Sequence, residues 1–199
     1  SAKVGPSIAK NITYNAFLSV LLAIFFIFLY ILLRFRNIGF SVGSIVGLVL
    51  DTTIVIGFFS LCYGWIGFSL EIDQTFIGAI LTVIGYDIND TVVVYDRIRE
   101  NLRNHRHNLA KADIQEIFNS SINQTLSRTI NTSVSTLIVL VSIFILGGDS
   151  IRSFAFAMII GIIIGTLSSI FIASPVAYLV LGKRIEKRSH ELAEAPAEA

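Results

Sequence analysis

The stretch Asn11–Leu33, NITYNAFLSVLLAIFFIFLYILL, runs for 23 residues without a charged side chain. A helix crossing the hydrocarbon core of a bilayer needs about 20 apolar residues, so this stretch alone predicts a membrane span. Composition extends the reading to the rest of the chain. Of 199 residues, 54% are apolar and 15% are charged, and the mean hydropathy is +0.75. Soluble domains carry about 25% charged residues, which leaves this chain too little polar surface to cover itself in water. Fifteen Phe, with many Ile, Leu and Val, exclude a disordered segment. Cys62 has no partner for a disulfide within the chain. A net charge of +1 carries no nucleic-acid footprint by itself.

Working outward, four more spans follow. The second is expected over about 42–62, and the third from just after Asp73 to near Tyr95. The fourth covers the 20 uncharged residues Thr129–Gly148, and the fifth lies within the 30 uncharged residues Ser153–Gly182. Thirty helical residues reach about 45 Å, so the fifth must tilt or leave part of itself among the headgroups. The expected fold is therefore an all-α membrane protein, a bundle of five transmembrane helices. Basic residues sort to one side: 12, from Arg34 and Arg36 through to Arg188, against Lys3, Lys10 and Arg152 on the other. Because Lys and Arg resist translocation, the N-terminus is expected outside and the C-terminus in the cytoplasm. A start outside, at Ser1 and without Met, suggests a chain that begins within something larger.

The expected organisation is a linker or domain end at 1–10, the bundle at 11–182 and a cytoplasmic tail at 183–199. Ala and Glu alternate in that tail around Pro196, a disorder-type composition. Outer connections are short. The inner connection, about 97–124, is longer and carries Ile114, Ile117, Phe118, Ile122 and Leu126 at helical spacing. It reads equally well as an amphipathic helix along the interface or as a helical extension of the fourth span. Small residues recur at every fourth position in Ala157, Gly161, Gly165, Ser169, Ala173 and Ala177, a face on which another helix can approach closely. Two similar ladders end on carboxylates: Gly39, Gly43, Gly47 and Asp51, then Gly78, Thr82, Tyr86 and Asp90.

Ionisable residues inside spans are costly unless they face protein or water, which makes them the first candidates for function. Asp90, in the third span, is one. Across from it, the fourth span carries the stripe Asn119, Asn123, Ser127, Asn131 and Ser135 with Arg128 beside it. Antiparallel packing would set Asp90 and Arg128 at similar depth. A carboxylate stays ionised beside a guanidinium, and moving the arginine away lets it take up a proton, which is what a proton carrier requires. Asp87 stands three residues before Asp90, and two carboxylates about 5–6 Å apart on a helix do not both ionise cheaply in low dielectric. Asp90, Arg128 and Asp87 are thus the expected ion-translocation residues. Asp51, isolated along its span, forms a secondary polar set with Asn89, Thr91, Ser127 and Asn131. His105, His107 and His190 have no cysteine or carboxylate at metal-ligand spacing, so no metal or other cofactor is expected. Gly147-Gly148 lacks the Lys-Ser/Thr of a phosphate loop, and neither an ATP site nor an enzyme is expected.

The run Leu81–Asn101, LTVIGYDINDTVVVYDRIREN, resembles the signature of the SecF family of Sec translocon accessory proteins. Further matches are QTLSRTINTS at Gln124–Ser133, FILGG up to Gly148, and GTLSSIFIASP at Gly165–Pro175. The resemblance implies half of a resistance-nodulation-division type membrane domain. It also implies work with SecD beside the SecYEG channel, using a proton or sodium gradient to promote export of preproteins across the bacterial inner membrane. By it, Asp90 matches the family's membrane carboxylate and Arg128 its partner arginine. The family usually has Ser where Asp87 stands and often His where Leu50 stands. The paired carboxylate is then a lineage feature, a changed coupling ion or a substitution, and the change at Leu50 weakens a relay role for Asp51. Membrane lipid, SecD, SecYEG and a preprotein are the implied partners, with no nucleic acid. A first family span, a large external domain and SecD itself would lie outside this chain, as in a fragment or the C-terminal end of a fused SecD–SecF chain. A lipid or drug exporter of the same superfamily and a passive scaffold subunit are the rival readings.

Overall fold

A computed structural model of the chain describes residues 6–65, 70, 73–104 and 111–182. The tail at 183–199 and the loop histidines His105 and His107 lie outside the described residues. Five long helices make up the fold: α1 Pro6–Phe35, α2 Ile38–Cys62, α3 Gln74–Asn104, α4 Lys111–Leu146 and α5 Asp149–Ser168. A five-residue π-helical turn, Ser169–Ala173, follows α5 before the helix resumes to residue 182. All five are long and apolar enough to cross a membrane.

The ends of the helices follow local chemistry. Between α1 and α2 the chain reverses in two residues, Arg36 at φ 51° and Asn37. The Asn37 side chain accepts a 2.9 Å hydrogen bond from Gly39 N and so caps α2, which starts at Ile38, ahead of the expected 42. Asp73 caps α3 in the same manner, accepting from Phe76 N at 2.8 Å. The π turn sits just before Pro175. Proline has no N–H to donate and its ring crowds the carbonyl four residues back, here Phe171, so a local widening relieves both problems. Ser174 Oγ and N–H both bond to Ser169 O across the turn.

α3 is the hub, touching each of the other four helices. Where a separate helix along the interface was one of two expectations for the inner connection, the structure takes the other. The amphipathic stretch is the beginning of α4, continuous with the fourth span. Its apolar face turns into the bundle, where Ile114 and Phe118 join Phe35, Phe40, Val94, Tyr95, Ile98, Ala177 and Leu181 in a core at the end where α1 finishes and α4 begins. A second core lies at the opposite end around Val55, Phe59, Phe76, Ile80, Val83, Met158 and Ile162. On α3 and α5 the polar residues fall between the two cores, Asp87 to Thr91 and Gly165 to Ser169.

The ladder on α5 does what close packing predicts. A Cβ at Gly161 would overlap Val83 of α3, and one at Gly43 of α2 would lie 2.5 Å from Ala173 O. Both ladders therefore join helices within the chain. The third ladder is split: Gly78 has open space around it and Thr82 is exposed, while Tyr86 and Asp90 turn toward α4.

Candidate functional site

Three carboxyl groups are buried in the polar layer. Asp51 is 3% exposed, Asp87 4% and Asp90 4%. Asp87 sits where it does because α5 presents a glycine to it: a Cβ at Gly165 would collide with the Asp87 carboxyl. Small residues along α5 predict helix packing at this position, and the structure uses one of them to seat an acid. Asp51, isolated along its own span, is brought by the α2–α3 packing within hydrogen-bonding reach of Asp87. Ser168 of α5 lies beside Asp51, in space left by Gly47, whose Cβ would come 3.2 Å from Ser168 Oγ.

Asp90 faces α4. Ser133 of α4 lies beside it, its hydroxyl donating to Thr129 O at 2.9 Å and paired with Thr166 Oγ1 at 2.7 Å. The positive charge acting on Asp90 is that of Arg128. Yet no ion pair within 4.0 Å joins them among the described residues. Arg128 is exposed and lines a cleft of about 330 Å³ with Val93, Asp96, Arg97, Glu100, Gln124 and Thr125. The arginine thus stands near the acid without neutralising it by contact.

The stripe Asn119, Asn123, Ser127, Asn131 and Ser135 is exposed along its length, so it faces out of the bundle rather than toward Asp90. The reason is a second row, two positions on, of Ser121, Thr125, Thr129 and Ser133, which is the buried polar face of α4. Of the secondary set, Thr91 is buried, whereas Asn89, Ser127 and Asn131 are exposed. Short hydroxyls satisfy themselves on their own helix backbone, as Ser121 does on Ile117 O and Thr125 on Ser121 O, and so tolerate burial better than Asn. Tyr86 reaches Thr136 Oγ1 at 3.1 Å, a further tie between α3 and α4.

Charges meet where α1 and α3 end. Arg34 Nη2 bonds Asp96 Oδ2 at 2.9 Å, Arg97 Nη1 bonds Glu100 Oε2 at 2.6 Å, and Arg99 donates to Arg34 O at 3.2 Å. These are exposed pairs of small energetic weight. What they do show is that the ends of α1 and α3 lie together. Among the described residues no group of three or more His, Cys, Asp or Glu could hold a metal ion.

Comparison with known proteins gives the family. Residues 1–183 match the family model described as protein export membrane protein SecD/SecF, C-terminal. The protein translocase subunit SecF of Rhodothermus marinus is 51% identical over 186 residues, which cover 93% of this chain and 58% of that protein. SecF of Calditerrivibrio nitroreducens is 44% identical, covering 94% of this chain and 58% of that protein. The crystal structure of SecDF from Thermus thermophilus, a translocon-associated membrane protein, superposes with a TM-score of 0.78 at 42% identity, covering 91% of this chain and 23% of that one. A SecDF crystal structure in a super-membrane-facing form gives a TM-score of 0.78 at 38% identity, with 94% and 24% covered. The chain thus spans 58% of the length of these SecF relatives. It is a five-helix membrane unit, and it belongs to the SecD/SecF family of protein export membrane proteins.

Proposed function

We propose that the chain is the ion-coupling membrane unit of a SecF-type subunit that uses a proton or sodium gradient to promote preprotein export. The observation that carries this reading is a buried carboxyl, Asp90, with a basic group, Arg128, acting on it but held outside ion-pair contact. A carboxylate at that depth needs a counter-charge to remain ionised. When α4 brings Arg128 closer, Asp90 releases its proton; when α4 withdraws it, Asp90 takes one up. Rocking of α3 against α4 would then alternate access between the two sides. Asp87, one turn away, is the third member of the set.

The partners follow from the same surface. Arg128, Ser127, Asn131 and Asn89 are polar, exposed and at membrane depth, which a lipid-facing helix does not tolerate well. SecD, or a SecD half of a fused chain, is the natural cover for them, with SecYEG and the preprotein beyond it. The organisation is a linker ahead of α1, a bundle that opens with that helix at Pro6, and a tail from 183. The N-terminus lies outside and the C-terminus in the cytoplasm of a bacterial inner membrane. Relatives named as translocase subunits do not favour the exporter reading.

The test is Asp90→Asn in cells or proteoliposomes whose export depends on this protein. Gradient-stimulated preprotein export should fall to the level seen without the protein. Full retention of stimulated export by a folded Asp90→Asn protein would overturn the reading and leave a scaffold.

A further inference from the structure

The contact between Asp51 and Asp87 asks for an explanation that the Asp90–Arg128 pair does not supply. Ionised carboxylates accept hydrogen bonds but donate none, so two of them meet at hydrogen-bonding distance only when something positive lies between. The candidates are a proton on one of them or a cation bridging both. Among the described residues no basic side chain acts on the pair: Arg128, on α4, acts on Asp90. Asp90, from α3, adds a further negative charge facing Asp87. From α5 the group that faces the pair is the neutral Ser168.

The surroundings are built to enclose the pair. Gly165 gives up its side-chain space to the Asp87 carboxyl, and Gly47 gives up space to Ser168 Oγ. Three polar atoms there are buried without a hydrogen-bond partner: Asp51 Oδ1, Asp87 Oδ2 and Ser168 Oγ. Ser168 is 2% exposed and stands beside Asp51, so an unpartnered hydroxyl is directed at the same carboxyl pair from a third helix. Buried groups left without partners call for an explanation, and a proton or other species bound at the pair supplies one here.

We infer that Asp51 and Asp87 hold a single proton between them, forming a carboxyl dyad that is a proton-binding site separate from Asp90, with Ser168 as its third group. With the proton on either acid the pair carries one negative charge rather than two, and the direct acid-to-acid contact needs no bridging ion. The proton is exchangeable: it leaves to Asp90 or to water and returns to whichever carboxylate is free, so no other reactant is consumed. As a site, the dyad stands on the α2–α3–α5 geometry. Its use in coupling rests on the proposed ion-driven function.

Infrared difference spectroscopy on the full chain in lipid, with pH steps as the probe, tests the site directly through the carbonyl stretch of protonated carboxyl groups. One such band should persist in Asp90→Asn. Asp87→Asn and Asp51→Asn should each abolish or displace that same band, since either substitution removes half of the dyad. Asp87→Ser, which places the family's usual residue there, should fold and bind one fewer proton per chain. The inference is overturned if the band vanishes in Asp90→Asn, if it ignores both Asp51→Asn and Asp87→Asn, or if sodium at constant pH erases it while potassium does not. The last result would make the pair a cation site. Failure of the coupling function is read separately, as export indifferent to Asp90→Asn with the dyad band intact.

Discussion

Gly165 shows how much a single missing methyl group can decide. The Asp87 carboxyl occupies the volume that a Cβ at residue 165 would fill, in a layer closed on the other side by α2. Gly165→Ala should therefore force Asp87 away from Asp51 and lower stability by about 1–3 kcal/mol, the usual cost of overpacking. Thermal unfolding in detergent measures it. Pairing the change with Asp87→Ser should recover most of the loss, because serine withdraws the colliding atoms. Gly78→Ala, at a helical position with open space, should be neutral or gain up to about 1 kcal/mol from helix propensity. If Gly165→Ala and Gly78→Ala behave alike, Gly165 is not a seat for the acid. The acids themselves were legible in the sequence, since a charge inside an apolar run is conspicuous. Their pairing was not: Asp51 and Asp87 lie on different helices, and spacing along one helix says nothing about which residue of another it will meet.

At the scale of the element, the π turn at Ser169–Ala173 ties three helices at one point. Tyr95 of α3 is fully buried and donates a 2.9 Å hydrogen bond to Ala173 O, at the edge of the turn. The same hydroxyl lies where a side chain on Gly43 of α2 would go. Tyr95→Phe removes that tie between α3 and the turn from a fully buried position. That should cost about 1–1.5 kcal/mol, the upper part of what a typical intramolecular hydrogen bond contributes. Tyr86→Phe, whose bond to Thr136 is only partly buried, should cost about 1 kcal/mol or less. Paired unfolding curves of the two variants decide it, and equal losses would mean that the π turn does not depend on Tyr95. Charge-free lengths located the first, fourth and fifth spans, and apolar runs broken by Asp51, Asp87 and Asp90 the second and third, while Pro175 was the one local sign of the turn. Proline states that the regular ladder fails nearby but not whether the helix kinks, ends or widens. Likewise the periodicity of Ile114, Ile117 and Phe118 fixed a buried face on that stretch without saying whether lipid or protein would bury it. The core formed with α1, α2, α3 and the helical stretch after α5 supplied the answer.

For the whole molecule, the decisive feature is a polar face that no described residue covers. Asn131, Ser127 and Arg128 are exposed on α4 beside Ile130, Val134 and Ile138, which are also exposed. α1 is different: between Asn15 and Arg34 its exposed side is apolar but for the Tyr30 hydroxyl, with Phe17, Phe25, Phe26 and Leu33 on it, and suits lipid. An amide row at membrane depth is costly against lipid tails and inexpensive against another polar helix, so α4 is the side on which the proposed SecD unit should sit. Single cysteines at Asn131 and at Phe17 provide the comparison, with Cys62 replaced by Ala so that it does not react. In detergent-solubilised chain alone, the cysteine at 131 should react readily with a membrane-impermeant maleimide. Co-expression with SecD should slow that reaction at least several-fold and leave the cysteine at 17 unchanged, because only the α4 face becomes covered. Equal protection of both positions would point to a general change in detergent packing, and unaltered labelling at 131 would mean that SecD docks elsewhere. Since Arg128 shares the α4 face with Asn131, docking there would place the arginine at the boundary between the two units. A movement of SecD could then shift Arg128 relative to Asp90 without unpacking the α3–α5 core that holds the acids.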